Sequence, residues 1–171
     1  MKELDLRIKK VSPTCTLPTK AHEDDACFDI YADLGTDKEA IVTINPHETV
    51  MIGTGFATQI PKGWWAPIFA RSGLSWRKGL RPVQGVPVID AGYRGEWKVA
   101  LHNDLNIPQS IGNQERIAQF TLLEYPKINL IPVEECSGAT KTIRYAPPKN
   151  GQRKGISFAE DYLAEEVLKK L

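Results

Sequence analysis

Apolar and β-branched residues in this chain come in short runs, each cut off by glycine, proline, asparagine or aspartate. Leu4-Asp5-Leu6-Arg7-Ile8 alternates with a period of two, the pattern of a strand with one wet face. Ile41-Val42-Thr43-Ile44 ends at the turn pair Asn45-Pro46, and the strand-like stretch from Val50 to Ile60 is interrupted by Gly53 and Gly55. Trp97-Lys98-Val99-Ala100-Leu101 alternates again, and Arg116 to Tyr125 is apolar and strand-like. No repeat of solenoid length is present. Many short strands with regular punctuation predict an all-β sandwich, barrel or jelly roll.

The 171 residues suit one domain with a tail. The expected division is a β domain over 1–133 and a C-terminal arm with a short helix over 134–171. Gly138, Pro147, Pro148, Asn150, Gly151 and Gly155 mark the arm. Ser157-Phe158-Ala159-Glu160 then fits a capping box, and Leu163, Val167 and Leu171 follow at helical spacing.

The formal net charge of +1 gives no push toward nucleic acid or membrane, so a bound anion must be held by local geometry. The apolar runs fall far short of the roughly 20 residues of a membrane helix, and MKELDLRIKK does not read as a signal peptide. Cys15, Cys27 and Cys136 are scattered and form no Cys-x-x-Cys pair; neither a zinc site nor a disulfide framework is indicated, and a reducing cytoplasm is the expected home. His22, His47 and His102 have no metal-ligand spacing.

Four segments carry possible chemistry. Ala70-Arg71-Ser72-Gly73-Leu74 puts a guanidinium, a hydroxyl and a bare backbone in succession, which suits a phosphate; alone it also reads as a surface turn after a strand. Val88-Ile89-Asp90-Ala91-Gly92-Tyr93-Arg94-Gly95 sets an acid at the end of an apolar strand and an aromatic ring three residues on. Asp90 could deprotonate a water and Tyr93 could pack under a flat sugar or base, or the segment is a plain β-turn with a packing tyrosine. Glu115-Arg116-Ile117-Ala118-Gln119 opens a strand, and the Gln119 amide could donate to a phosphate or sit on a polar edge. Asp29, within Asp25-Ala26-Cys27-Phe28-Asp29-Ile30, wants a partner among its apolar neighbours: it could hold the waters of a magnesium ion, or be a paired core acid.

In this order the four segments resemble the ordered motifs of the trimeric dUTP pyrophosphatases (dUTPases), over about residues 5 to 125. Asp25–Ile30 matches the first motif, Arg71–Ser75 with Gly79-Leu80 the second, Ile89–Gly95 the third and Gln114–Gln119 the fourth. The resemblance implies a jelly-roll-like β-barrel and a homotrimer with shared sites. It implies Mg²⁺-dependent cleavage of dUTP to dUMP and pyrophosphate. Asp90 would activate a water for attack on the α-phosphorus, Tyr93 would stack on the deoxyribose and exclude a 2′-hydroxyl, and Arg71, Ser72, Gly73 and Gln119 would hold the phosphates. Asp29 would touch the magnesium only through water. The turn from about Pro82 to Tyr93, Gln84 included, would read uracil. Arg153 and Phe158, remnants of the family's fifth motif, would reach the γ-phosphate and cover the base.

The chain departs from the family pattern at several positions. Cys27 stands for a glycine, Phe28 for a tyrosine, Gln114 for a glycine, Glu115 for an aspartate and Pro87 for a frequent glycine. The fifth motif has lost most of its glycines. Two alternatives remain at this level: a dUTPase-like scaffold used for binding or regulation, and a dCTP deaminase relative. Against the second, Ala100 occupies the place of the deaminase's catalytic glutamate, and a methyl group cannot shuttle protons.

Overall fold

A computed structural model describes residues 3–134. In chain order the elements are β1 (Arg7–Lys10), β2 (Phe28–Tyr31), β3 (Ile41–Ile44), β4 (Thr49–Gly53), β5 (Phe56–Gln59), β6 (Trp64–Phe69), α1 (Ser72–Lys78), β7 (Leu80–Pro82), β8 (Val88–Ile89), β9 (Lys98–Asn103), β10 (Gln109–Gly112), β11 (Arg116–Phe120) and β12 (Leu123–Glu124). Among the described residues the architecture is all-β with one short helix between strands. The chain divides into two compact units, Met1–Asn129 and Leu130–Leu171; the described residues of the second, 130–134, form no helix or strand. The helix expected after Ser157 lies outside the described residues, as do Arg153 and Phe158.

Every strand pairing among the described residues is antiparallel. β1 pairs with β5, β10 with β3, and β4-β9-β7 form a three-stranded sheet. The five-stranded sheet is organised around β6, which pairs along its length with β12, β8 and β11, and β11 in turn pairs with β2. In the N-terminal segment the strand starts only at Arg7, later than the Leu4–Ile8 alternation predicts; Leu4, Leu6 and Ile8 line one groove while Asp5 and Arg7 line another.

The core is closed by aromatic rings from three segments. The Trp97 ring packs on Phe56 at a centroid distance of 5.2 Å and meets Phe120 edge-on at 4.9 Å. All three are buried, each side chain contributing about 1.5–3 kcal/mol by leaving water. Around them sit Ile30, Ile44, Ile52, Ile68, Leu101 and Ile117, also buried.

Candidate active site

Strand register brings the first, second and fourth segments together. Gln119 on β11 pairs with Asp29 on β2 and with Phe69 on β6, so the three residues form one row across the sheet. Directly after Phe69 the Gln119 amide donates to the Ala70 carbonyl at 2.9 Å, tying down the point where the chain leaves the sheet. Arg71 then turns back, and its guanidinium donates to both Asp29 oxygens, at 2.6 Å from Nε and 3.4 Å from Nη2. Arg116 donates to Asp29 Oδ2 at 3.1 Å. Asp29 is only 8% exposed, and a carboxylate that deep needs such partners. Two cations around one anion leave the row with net positive charge, which suits an anionic ligand.

α1 carries the rest of this half. Its N-cap, Arg71, makes no side-chain capping bond, and Ser72 and Gly73 are exposed in the first turn. A side chain at Gly73 would meet nothing within 4 Å, so its backbone faces an open cleft lined with Arg71, Leu74, Arg77, Lys78, Glu115 and Arg116. The helix stops at Gly79, whose φ of +60° forms a left-handed cap with its N–H on Ser75 O. A Cβ at that position would also meet Leu105 Cγ at 2.5 Å. Lys78 pairs with Glu115 at 2.6 Å, and Glu115 accepts the Gly112 N–H, fixing the helix to the loop that opens β11.

Asp90, Tyr93 and Gln84 form a second group. Asp90 follows β8 and is exposed. The Tyr93 N–H closes a turn onto the Asp90 carbonyl at 3.0 Å, and the Tyr93 hydroxyl donates to Glu96 O at 2.9 Å. Tyr93 is 44% exposed and lies over Gly95, where a Cβ would stand 2.6 Å from the hydroxyl oxygen. Glu96 anchors the turn by accepting the Thr54 and Gly55 amides, and the Trp97 N–H donates to Phe56 O. Gln84 lies in the exposed β7–β8 connection, where the Gly85 N–H reaches Pro82 O. Pro87 has no N–H to give, and its carbonyl accepts the Ile68 N–H at 2.9 Å.

The two groups do not meet within one chain. β8 pairs with β6 as Ile89↔Ala66 and Val88↔Pro67, so Asp90 emerges near Trp65, at the start of β6. Arg71 emerges past the other end. At about 3.3 Å per residue the separation along β6 is roughly 20 Å.

Sequence reasoning named Asp29, Arg71, Ser72, Gly73 and Gln119 separately, and the structure gathers them. It missed Arg116 as a partner of Asp29, and the Lys78–Glu115 tie, because both depend on register between distant segments. Glu115 in place of the family's aspartate keeps a carboxylate that reaches α1.

A profile of the family described as dUTPase matches residues 14–146. The deoxyuridine 5′-triphosphate nucleotidohydrolase of Mycolicibacterium gilvum is 37% identical over 142 residues, covering 81% of this chain and 88% of that protein. The protein of the same name from Corynebacterium jeikeium is 40% identical over 131 residues, covering 76% and 79%. Among solved structures, the Staphylococcus bacteriophage 80alpha dUTPase with dUPNHPP superimposes with a TM-score of 0.70 at 25% identity, over 80% of this chain and 92% of that one. The all-β scaffold with one short helix matches that of these dUTPases. The chain belongs to the dUTPase family, and the enzyme class is that of a dUTP diphosphatase.

Proposed function

We propose that the chain hydrolyses dUTP to dUMP and pyrophosphate at sites shared between subunits of a homotrimer in the cytoplasm. The observation that carries the reading is the placement of Asp90 and Arg71 at opposite ends of β6. A base that activates a water for the α-phosphorus and a guanidinium that grips the same triphosphate must lie within the span of one phosphate chain. Roughly 20 Å is too far, so a second copy supplies one half, and a cyclic assembly repeats that contact around a closed ring.

Asp90, exposed at the end of β8, orients and deprotonates the attacking water. Tyr93 lies beneath the deoxyribose and leaves no room for a 2′-hydroxyl. Gln84 and the backbone of its turn face the uracil. Arg71, held by Asp29, grips phosphate oxygens together with Ser72, the Gly73 amide and Gln119. Arg153 and Phe158, outside the described residues, close over the γ-phosphate and the base, and water expelled by such a lid strengthens the charge interactions beneath it.

Magnesium fits this arrangement without a protein cage. No group of three His, Cys, Asp or Glu side chains converges among the described residues. Both oxygens of Asp29 accept arginine N–H bonds, which leaves lone pairs for water rather than a direct metal bond. Mg²⁺ held by triphosphate oxygens and waters, with Asp29 touching that water shell, is the usual mode for this ion and neutralises phosphate charge. Deamination has no support, because Ala100 is buried on β9 against β4 and carries no proton-transfer group.

A nucleotide panel with Mg²⁺ tests the reading: pyrophosphate release from dUTP, dTTP, dCTP and UTP. Turnover of dUTP far above the other three is expected. Equal turnover of dTTP and dUTP contradicts the uracil assignment.

A further inference from the structure

We propose that the cleft between β1, β5 and the turn after Asp90 is an accessory binding site for a condensed-phosphate anion, held by Arg7, Lys9, Lys62 and Arg94. It is distinct from the Arg71 cradle and lies on the flank of the Asp90 turn.

Register assembles the cluster. β1 pairs with β5 as Arg7↔Gln59 and Lys9↔Ala57, so Arg7 and Lys9 stand on one face of β1, about 6.6 Å apart along the strand. Lys62 follows β5 in the loop that leads into β6. Arg94 comes from the other side, and its Nη1 donates to the carbonyls of Ala91 at 2.6 Å and Tyr93 at 2.9 Å, which fixes the guanidinium in place before any ligand arrives. Two contiguous clefts share Arg7, Gln59 and Arg94: one continues to Lys62, Ala91 and Gly92, the other to Lys9.

Among the described residues the cations of the two clefts outnumber the acids four to one. Among the described residues none of the four cations makes an ion pair, whereas Arg71, Lys78, Arg81 and Arg116 are all paired. Asp5 is the one acid among the described residues lining either cleft. Four cations spread over several ångströms suit an anion with charge on successive groups better than a single carboxylate, and the fixed fork of Arg94 suits phosphate oxygens. The chemistry recognised is a condensed phosphate, which reaches the protein as free pyrophosphate or as the triphosphate of a nucleotide. The site rests on the proposed reaction only in that pyrophosphate would be its product.

Titration calorimetry of the full chain with inorganic pyrophosphate, without nucleotide, tests the proposal as a second site beyond the Arg71 cradle. One further pyrophosphate per chain is expected, weakened about 10-fold or more in Arg7→Glu/Lys62→Glu and less in Arg7→Gln/Lys62→Gln, with dUTP turnover kept in the glutamine pair. dTTP is expected to compete for the site, because the phosphates and not the base are recognised, while sulfate is not. Absence of the extra heat, its survival unchanged in both double variants, or equal displacement by sulfate overturns the proposal. The titration needs no turnover. A chain that failed to hydrolyse dUTP but bound pyrophosphate through Arg7 and Lys62 would sink the proposed reaction alone.

Discussion

Arg71 donates its Nε–H to Asp29 Oδ1 at 2.6 Å, so the guanidinium at the head of α1 is aimed by a carboxylate two strands away across the sheet. Asp29→Asn keeps the shape and removes the charge that holds both Arg71 and Arg116. Two arginines left without their anion lower stability by about 1–3 kcal/mol. Misaiming the guanidinium lowers kcat/KM for dUTP by about 10²-fold. Melting curves and steady-state kinetics on one preparation check both; wild-type kcat/KM with a lowered Tm would make Asp29 purely structural.

Asp90 is exposed, and among the described residues its side chain makes no bond that the fold requires. Asp90→Asn is therefore expected to melt with the wild type and to lose about 10²–10⁴-fold in kcat. Near-native kcat in the folded variant would mean that another group activates the water.

Gln114 has a φ of +62°, a conformation that costs a side-chain-bearing residue free energy. That explains why the family pattern has glycine there. Here the amide offsets the cost by accepting from the Thr16 hydroxyl and donating to Thr14 O at 3.0 Å. Gln114→Ala keeps the strain and loses both bonds, so it destabilises by about 1–3 kcal/mol. Gln114→Gly loses the bonds but relieves the strain and costs less. Chemical denaturation of the pair reads the order directly; alanine milder than glycine would contradict it.

Gly95 lies under the Tyr93 ring, and a methyl group added there would stand 2.6 Å from the hydroxyl oxygen. Gly95→Ala pushes the ring away at a cost of about 1–3 kcal/mol. If Tyr93 excludes the 2′-hydroxyl, the ratio of kcat/KM for dUTP over UTP falls in this variant while the fold survives. An unchanged ratio would separate Tyr93 from sugar discrimination.

Much of this was legible in the sequence because strand alternation and turn residues are local. β3, β9 and β11 fall where the short apolar runs predict them, and the Val50–Ile60 stretch resolves into β4, which ends at Gly53, and β5, which starts after Gly55. β6 is not legible, because Pro67 in its middle argues against a strand; the structure tolerates it where β6 pairs with the two-residue strand β8. α1 reads as a turn because it lacks an N-capping side chain and carries Gly73 in its first turn. Its stop signal, Arg77 and Lys78 before Gly79, could have found it. The grouping of Asp29 with Arg71 and Arg116, and the separation of both from Asp90, are matters of register between distant strands, which no local pattern encodes.

Subunit complementation tests the shared site most directly. Asp90→Asn and Arg71→Ala chains, each inactive alone, are co-expressed with different tags and mixed trimers are isolated. If one chain supplies Asp90 and its neighbour Arg71, one of the three sites in each mixed trimer pairs two intact halves, and about a third of wild-type dUTP turnover returns. Mixed trimers as inactive as either parent would contradict a site built from two chains.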